Sequence, residues 1–300
     1  MPEASAARDV HGLAFLGRRS WCVAGGDSVN DTAPQGDVPR ATTADAGGGL
    51  RPPGGVGGQG REVAVVTGAS SGIGAELVRA LKARRMLVVG LSRRGSEADE
   101  HEECDVADRS AVEATAARVL ARHPRIHLLV NNAGVGARDN YLGASPETIE
   151  QVIRVNYLGS VWSTLAFLPG LGEGSHVVNL VSVAGTVAVG PYSASKHAQL
   201  AFSRSIAVEL APRGIMVHTV NPGFVETEGF PQRERFPGLL NRLVIDPPLV
   251  VERLLGAVDK GKHEIVVPRW YRPAAWAQAL APGAVLSVRA RTSRPRPRNR

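Results

Sequence analysis

Tyr192 and Lys196 stand four residues apart in Tyr192-Ser193-Ala194-Ser195-Lys196, ten residues after Ser182. In a helix that separation places both side chains on one face, within reach of each other. An ammonium beside a phenol favours the phenolate and draws its pKa down from about 10 toward working pH, which is what a general acid/base needs. The bland alternative is a surface i,i+4 pair. Against it stands a glycine loop upstream, Thr67-Gly68-Ala69-Ser70-Ser71-Gly72-Ile73-Gly74.

Elements must carry these groups to one place. The loop follows an apolar run, Glu62 to Thr67, and opens a segment with helical spacing through Ile73, Leu77, Val78 and Leu81. Gly68 permits a tight turn, Gly72 lets backbone approach a pyrophosphate, and Gly74 lets helix and strand pack closely, while the helix N-terminus attracts phosphate. Met86 to Leu91, Leu128 to Asn131, Val177 to Val181 and Ile215 to Val220 read as further buried strands with helical segments between them. Ser145-Pro146 caps a long helix predicted to run to Leu168, where Pro169-Gly170 stops it. Gly95 to Glu103 is short and charged, leaving little room for a full helix and a third strand. The alternation predicts an α/β fold: a Rossmann-type, doubly wound parallel sheet with helices on both faces.

The net charge of +7 suggests nucleic acid until it is located. Eight arginines and no acid between Ile265 and Arg300 account for the whole excess, so no nucleic-acid partner is expected of the catalytic body. Cys22 and Cys104 make no disulfide framework and fit a reducing, cytoplasmic setting. Residues 1–60 hold 13 of the 34 glycines and read as a disordered Gly/Pro-rich extension. Residues 61–268 form the catalytic domain, and 269–300 an aromatic, then arginine-rich extension, expected to be disordered after Arg289. Its Trp270, Tyr271 and Trp276 beside arginines suit peripheral contact with a membrane surface; the alternative is that they cap the protein's own core.

Over about 61–268 the chain resembles the short-chain dehydrogenase/reductase family in its compact form. The resemblance rests on Thr67 to Gly74, Cys104-Asp105-Val106, Asn131-Asn132-Ala133-Gly134, Val155-Asn156-Tyr157, Ser182, Tyr192 with Lys196, and Asn221-Pro222-Gly223 with Thr227. It implies a catalytic group of Asn156, Ser182, Tyr192 and Lys196, with Asn156 kinking its helix and holding a water near Lys196. It implies cofactor contacts from Gly68, Ser70, Ser71, Gly72, Ile73 and Gly74 in the loop and from Ser92 and Arg93 after the second strand. Asp105, Val106, Asn132, Ala133, Gly134, Pro222, Gly223, Val225 and Thr227 complete that set, with Tyr192 and Lys196 themselves. A homodimer or homotetramer is also implied. The chain departs from the family in having about three fewer residues between Ser182 and Tyr192, so that loop must be tighter here.

Eighteen residues beyond Gly74, where an acid would accept from a ribose 2′-hydroxyl, stands Ser92, followed by Arg93 and Arg94. An arginine fork suits a 2′-phosphate, so NADP(H) is expected over NAD(H). Gly229 to Pro248 is the expected lid, whose Phe230, Phe236, Leu239, Leu240 and Leu243 favour an apolar carbonyl or alcohol substrate. No metal is expected, since consecutive residues of His101-Glu102-Glu103-Cys104 in a strand alternate between faces. A second class is a cofactor-binding redox sensor without turnover; the retention of Ser182, Tyr192, Lys196 and Asn156 favours an enzyme.

Overall fold

Runs of Val, Leu and Ile with both faces covered build the strands. In a computed structural model of the chain these are β1 (Val63–Thr67), β2 (Leu87–Ser92), β3 (Glu100–Glu103), β4 (Leu128–Asn131), β5 (His176–Leu180), β6 (Met216–Pro222) and β7 (Glu264–Val267). All pair in parallel, in the order β3-β2-β1-β4-β5-β6-β7. The structure describes residues 60–137, 140–186, 190–235, 238–273, 277 and 280–292. The expected N-terminal extension, apart from Gly60, lies outside them, as do Phe236, Trp276 and the last eight residues.

The helices are α1 (Gly72–Ala83), α2 (Arg109–Arg122), α3 (Pro146–Ile153), α4 (Gly159–Phe167), α5 (Gly190–Leu210), α6 (Pro247–Asp259) and α7 (Pro282–Thr292). Because strand side chains alternate, the sheet feeds two cores. Val66, Val130, Val178 and Val220 pack with Leu77 and Leu81 of α1 and Leu254 and Val258 of α6. Val65, Leu129, Val177 and Val217 pack with Val112 and Val119 of α2, Phe167 of α4, and Ile206 and Leu210 of α5.

The structure corrects the sequence reading in three places. Between β2 and β3 the chain does lack a helix, but a third strand forms: Glu100 and Glu102 pair with Arg118 and Arg122 on α2, and Glu100 hydrogen-bonds His123 just beyond it, so polar contacts replace apolar ones over this edge strand. The predicted long helix begins where expected, with the Ser145 hydroxyl accepting from the Thr148 amide at 3.3 Å. It is not continuous to Leu168 but is interrupted by a five-residue π-helical segment, Arg154–Leu158, that joins α3 to α4 and contains Asn156, where the resemblance implied a kink. At the C-terminus α7 runs past Arg289 to Thr292, starting at Pro282 with the fixed φ that suits a first helical position. β7 has no counterpart in the sequence reading, because four residues beginning at a glutamate carry too little pattern.

Candidate active site

The sheet order reverses between β1 and β4, and a ligand crevice forms at the carboxyl ends of strands at such a point. The loops leaving β1, β2, β4, β5 and β6 border one cavity of about 790 Å³. Of the catalytic and cofactor-contact residues expected from the sequence, all but Gly74 and Asn156 line it. Those two stand behind it and shape its wall.

Gly68 has a φ of 67° and donates its amide to the Leu91 carbonyl at 2.7 Å, tying the loop to the end of β2. A Cβ on Gly74 would overlap the Gly68 carbonyl oxygen, so the close approach of α1 to the loop depends on its absence. The loop is clamped from β4: the Asn132 side-chain amide donates to the carbonyls of Thr67 at 2.9 Å and Gly68 at 3.1 Å. The Thr67 hydroxyl in turn accepts from the amides of Asn132 at 3.0 Å and Ala133 at 3.1 Å. At the N-terminus of α1, Ser71 makes no side-chain cap, which leaves first-turn amides open to an anion. This cradle fits the pyrophosphate of a dinucleotide.

At the adenine end implied by the resemblance, the buried Ser92 hydroxyl donates to the Arg94 carbonyl at 2.6 Å and so shapes the turn that carries both arginines. Arg93 and Arg94 are exposed along the cavity, and an Arg93 guanidinium nitrogen lies 3.9 Å from an Asp105 carboxylate oxygen. The other Asp105 oxygen accepts from the Ala107 amide at 2.9 Å.

At the opposite end α5 carries Tyr192 and Lys196 one turn apart, the expected arrangement. The shortened loop does not separate Ser182 from Tyr192. A 3₁₀ turn at Val183–Thr186 leads back toward α5, and Ser182 and Tyr192 line the same end of the cavity, close enough for the serine to act on the phenol. Ser182 also accepts from the Ala184 amide at 3.1 Å and donates to the Pro222 carbonyl at 3.4 Å. The Lys196 ammonium donates to the Leu180 carbonyl at 2.9 Å and to Gln199 Oε1 at 2.7 Å, and lies 5.9 Å from the centroid of the Tyr192 ring.

The electrostatics differ from the sequence reading. Burial raises the Tyr192 pKa above its ordinary value, with the hydrogen bond to Ser182 only partly opposing it. Burial also lowers Lys196 to about 7. Burial of the phenol outweighs the expected downward pull: the Lys196 nitrogen lies 5.9 Å from the ring centroid, and two of its three N–H groups go to Leu180 and Gln199.

Asn156 takes its place from the π-helical segment. Its amide donates to the Val135 carbonyl at 3.0 Å and Ser195 Oγ at 2.9 Å, and its oxygen accepts from the Val135 amide at 2.8 Å. It thus ties the segment after β4 to α5, close behind Lys196.

From the expected lid, Phe230 lines the cavity. The side chains of Leu239 and Leu240, like the whole of Phe236, lie outside the described residues, and Leu243 does not line the cavity. Tyr271 belongs to the fold: its ring lies where a Cβ on Gly223 would fall, and its hydroxyl donates to the Leu243 carbonyl at 3.0 Å. Trp270, by contrast, is exposed. Two contributors escaped the sequence reading. Gln232 is buried against the cavity, on an irregular segment with no pattern to betray it. Gln199 did leave a signal, since Ser193, Ser195, Lys196, Gln199 and Ser203 form a polar stripe along the buried face of α5.

Comparison with known proteins agrees with this geometry. The family described as short chain dehydrogenase matches residues 62–236. Galactitol 2-dehydrogenase (L-tagatose-forming) of Cereibacter sphaeroides is 35% identical over 184 residues, covering 55% of this chain and 72% of that enzyme. A short chain dehydrogenase from Burkholderia cenocepacia J2315, solved with NADP, superposes with a TM-score of 0.67 at 30% identity, covering 78% of this chain and 98% of that one. A short chain dehydrogenase/reductase from Burkholderia phymatum, solved with NAD, gives 0.65 at 25% identity, covering 73% and 93%. The family match takes in more than half of the chain and the sheet is doubly wound, so the protein belongs to the short-chain dehydrogenase/reductase family and is an NAD(P)-dependent oxidoreductase.

Proposed function

We propose that the protein transfers hydride between NADP(H) and the carbonyl or secondary alcohol carbon of an apolar small molecule, with Tyr192 as general acid/base. The observation that carries this reading is the meeting of Ser182, Tyr192 and Lys196 at one end of the cavity whose other end holds the glycine cradle. Gly68, Ser70, Ser71, Gly72 and Ile73 hold the pyrophosphate, with Gly74 behind them; Asp105 and Val106 take the adenine side. Asn132, Ala133, Gly134, Pro222, Gly223, Val225 and Thr227 flank the remainder. When bound, the nicotinamide supplies or accepts the hydride.

The chain's own groups do the rest. Ser182 holds the substrate oxygen, and Tyr192 gives up its proton as negative charge develops there. The raised phenol pKa keeps that proton in place at neutral pH, which suits reduction. Lys196 in its charged form stabilises the phenolate left behind, and Asn156 fixes the wall on which it rests.

Preference for NADP(H) is supported by Ser92 at the position an NAD enzyme fills with an acid, and by Arg93 and Arg94 beside the cavity. The apolar substrate is supported by Phe230 over the catalytic end. A homodimer or homotetramer is supported by the exposed apolar Leu165 on α4 and Val208 on α5. A cytoplasmic site is supported by the sparse cysteines, with peripheral membrane contact resting on exposed Trp270. Among the described residues no helix is long and apolar enough to cross a membrane. Following NADPH and NADH oxidation across ketones, aldehydes, steroids, quinones and ketoses tests the reading. It expects NADPH-dependent turnover of an apolar carbonyl; tight NADPH binding without turnover of any of them would favour the redox-sensor alternative.

A further inference from the structure

Gln199 is wholly buried, with 0% of its surface exposed, and every hydrogen bond of its amide leads toward the site. Its oxygen accepts from Lys196 Nζ at 2.7 Å, and its nitrogen donates to Ser160 Oγ at 2.8 Å. The Ser160 hydroxyl donates in turn to the Asn156 carbonyl, in the π-helical segment, at 3.2 Å. The polarity of this chain is fixed from one end. An ammonium can only donate, so Gln199 must turn its oxygen to Lys196; its nitrogen must then donate, and the serine passes its own proton on to the carbonyl.

We infer that Gln199 is a positioning residue for the reaction, holding Lys196 protonated and anchored, through Ser160, to the π-helical segment at Asn156. The inference rests on the reading of Tyr192 and Lys196 as the catalytic pair. What surrounds the ammonium makes Gln199 consequential. Tyr192 is the titratable neighbour on α5; β5 offers the Leu180 carbonyl, the segment after β4 offers Gly134, and the π-helical segment offers neutral Asn156. Among the described residues no carboxylate offsets the burial that lowers Lys196 to about 7. Among the described residues the Gln199 dipole is therefore one of two acceptors that favour the charged form.

The test is the pH dependence of ketone reduction by NADPH in the full chain. Reduction needs Lys196 charged, so the alkaline limb of kcat reports its deprotonation. Gln199→Met keeps the length and removes the acceptor; Gln199→Glu replaces it with an anion. The limb is expected to fall by about one pH unit in Gln199→Met and to rise by about one in Gln199→Glu, the size a hydrogen bond to a charged group carries. Ser160→Ala, which cuts the next link, is expected to move it the same way as Gln199→Met and by less, and serves if a Gln199 variant fails to fold. A merely structural role would not move the limb in opposite directions. Limbs within about 0.2 units of wild type, or moving the same way in Gln199→Met and Gln199→Glu, would overturn the inference. Tyr192→Phe separates the two levels. If it is inactive while the limbs stay put, the role of Gln199 alone is wrong; if it keeps turnover, the pair is not catalytic and both readings fall.

Discussion

The Phe230 ring lies with its centroid 5.8 Å from that of Tyr192, tilted by 30°, and occupies the space a Cβ on Gly136 would need. An aromatic ring so close to the proposed proton donor sets which substrates can approach. Phe230→Ala is expected to raise KM for bulky apolar ketones about tenfold, from lost burial of apolar surface, while kcat for a small ketone changes little. Steady-state kinetics on a large and a small ketone check this. Equal KM values for the bulky substrate would remove Phe230 from the substrate site.

Much of this site was legible because it is written in local spacing. Gly68, Gly72 and Gly74 announce a strand-to-helix turn, and Tyr192 with Lys196 announces one helix face. What was not legible depends on contacts distant in sequence. The π-helical segment at Asn156 leaves an unbroken apolar pattern, so spacing alone reads as a single helix and only the family resemblance implied a kink there. β3 is held by ion pairs to α2, which no apolar periodicity reveals. The electrostatics of Tyr192 depend on burial and on which acceptors Lys196 chooses, and both are set by Leu180 and Gln199 in the folded chain.

Cofactor choice depends on Arg93 and Arg94 beyond Ser92. Replacing both by alanine is expected to weaken NADPH by about ten- to a hundredfold, the worth of charge-assisted hydrogen bonds, and NADH far less. Calorimetric titration with each cofactor measures the difference. Equal weakening would show that these arginines do not read the 2′-phosphate.

The glycine cradle has a steric test. Gly74→Ala drives a methyl group into the Gly68 carbonyl and toward the Asn132 amide. The loop must move, so NADPH affinity is expected to fall at least tenfold, a larger loss than Gly256→Ala on α6 causes, where a Cβ meets nothing. Equal affinity in the two variants, read by fluorescence titration, would show that the cradle tolerates displacement.

Far from the site, His176 Nδ1 lies 2.9 Å from His218 Nε2, between β5 and β6. His218 Nδ1 faces the Lys262 carbonyl at 2.7 Å and so carries a hydrogen, which leaves its Nε2 to accept from His176. Protonation of both rings would set two N–H groups head to head. Burial lowers both rings, His218 to about 4 from an ordinary 6.5. The unfolded chain therefore binds more protons below about pH 6.5, and stability present above that pH is lost as pH falls toward 4. For His218 alone the loss amounts to roughly 3 kcal/mol. Urea unfolding at pH 7 and pH 4.5 is expected to show it, and His218→Gln to diminish it. An unchanged pH dependence in that variant would place the acid sensitivity elsewhere.

The central claim is that Tyr192 moves the proton. Tyr192→Phe keeps the ring that packs against Phe230 and removes only the hydroxyl, so NADPH affinity by fluorescence titration should remain within about twofold of wild type. Turnover of the best carbonyl substrate is expected to fall at least a hundredfold, the loss of a general acid. A variant that binds NADPH normally and keeps more than about half of the wild-type rate would contradict the account.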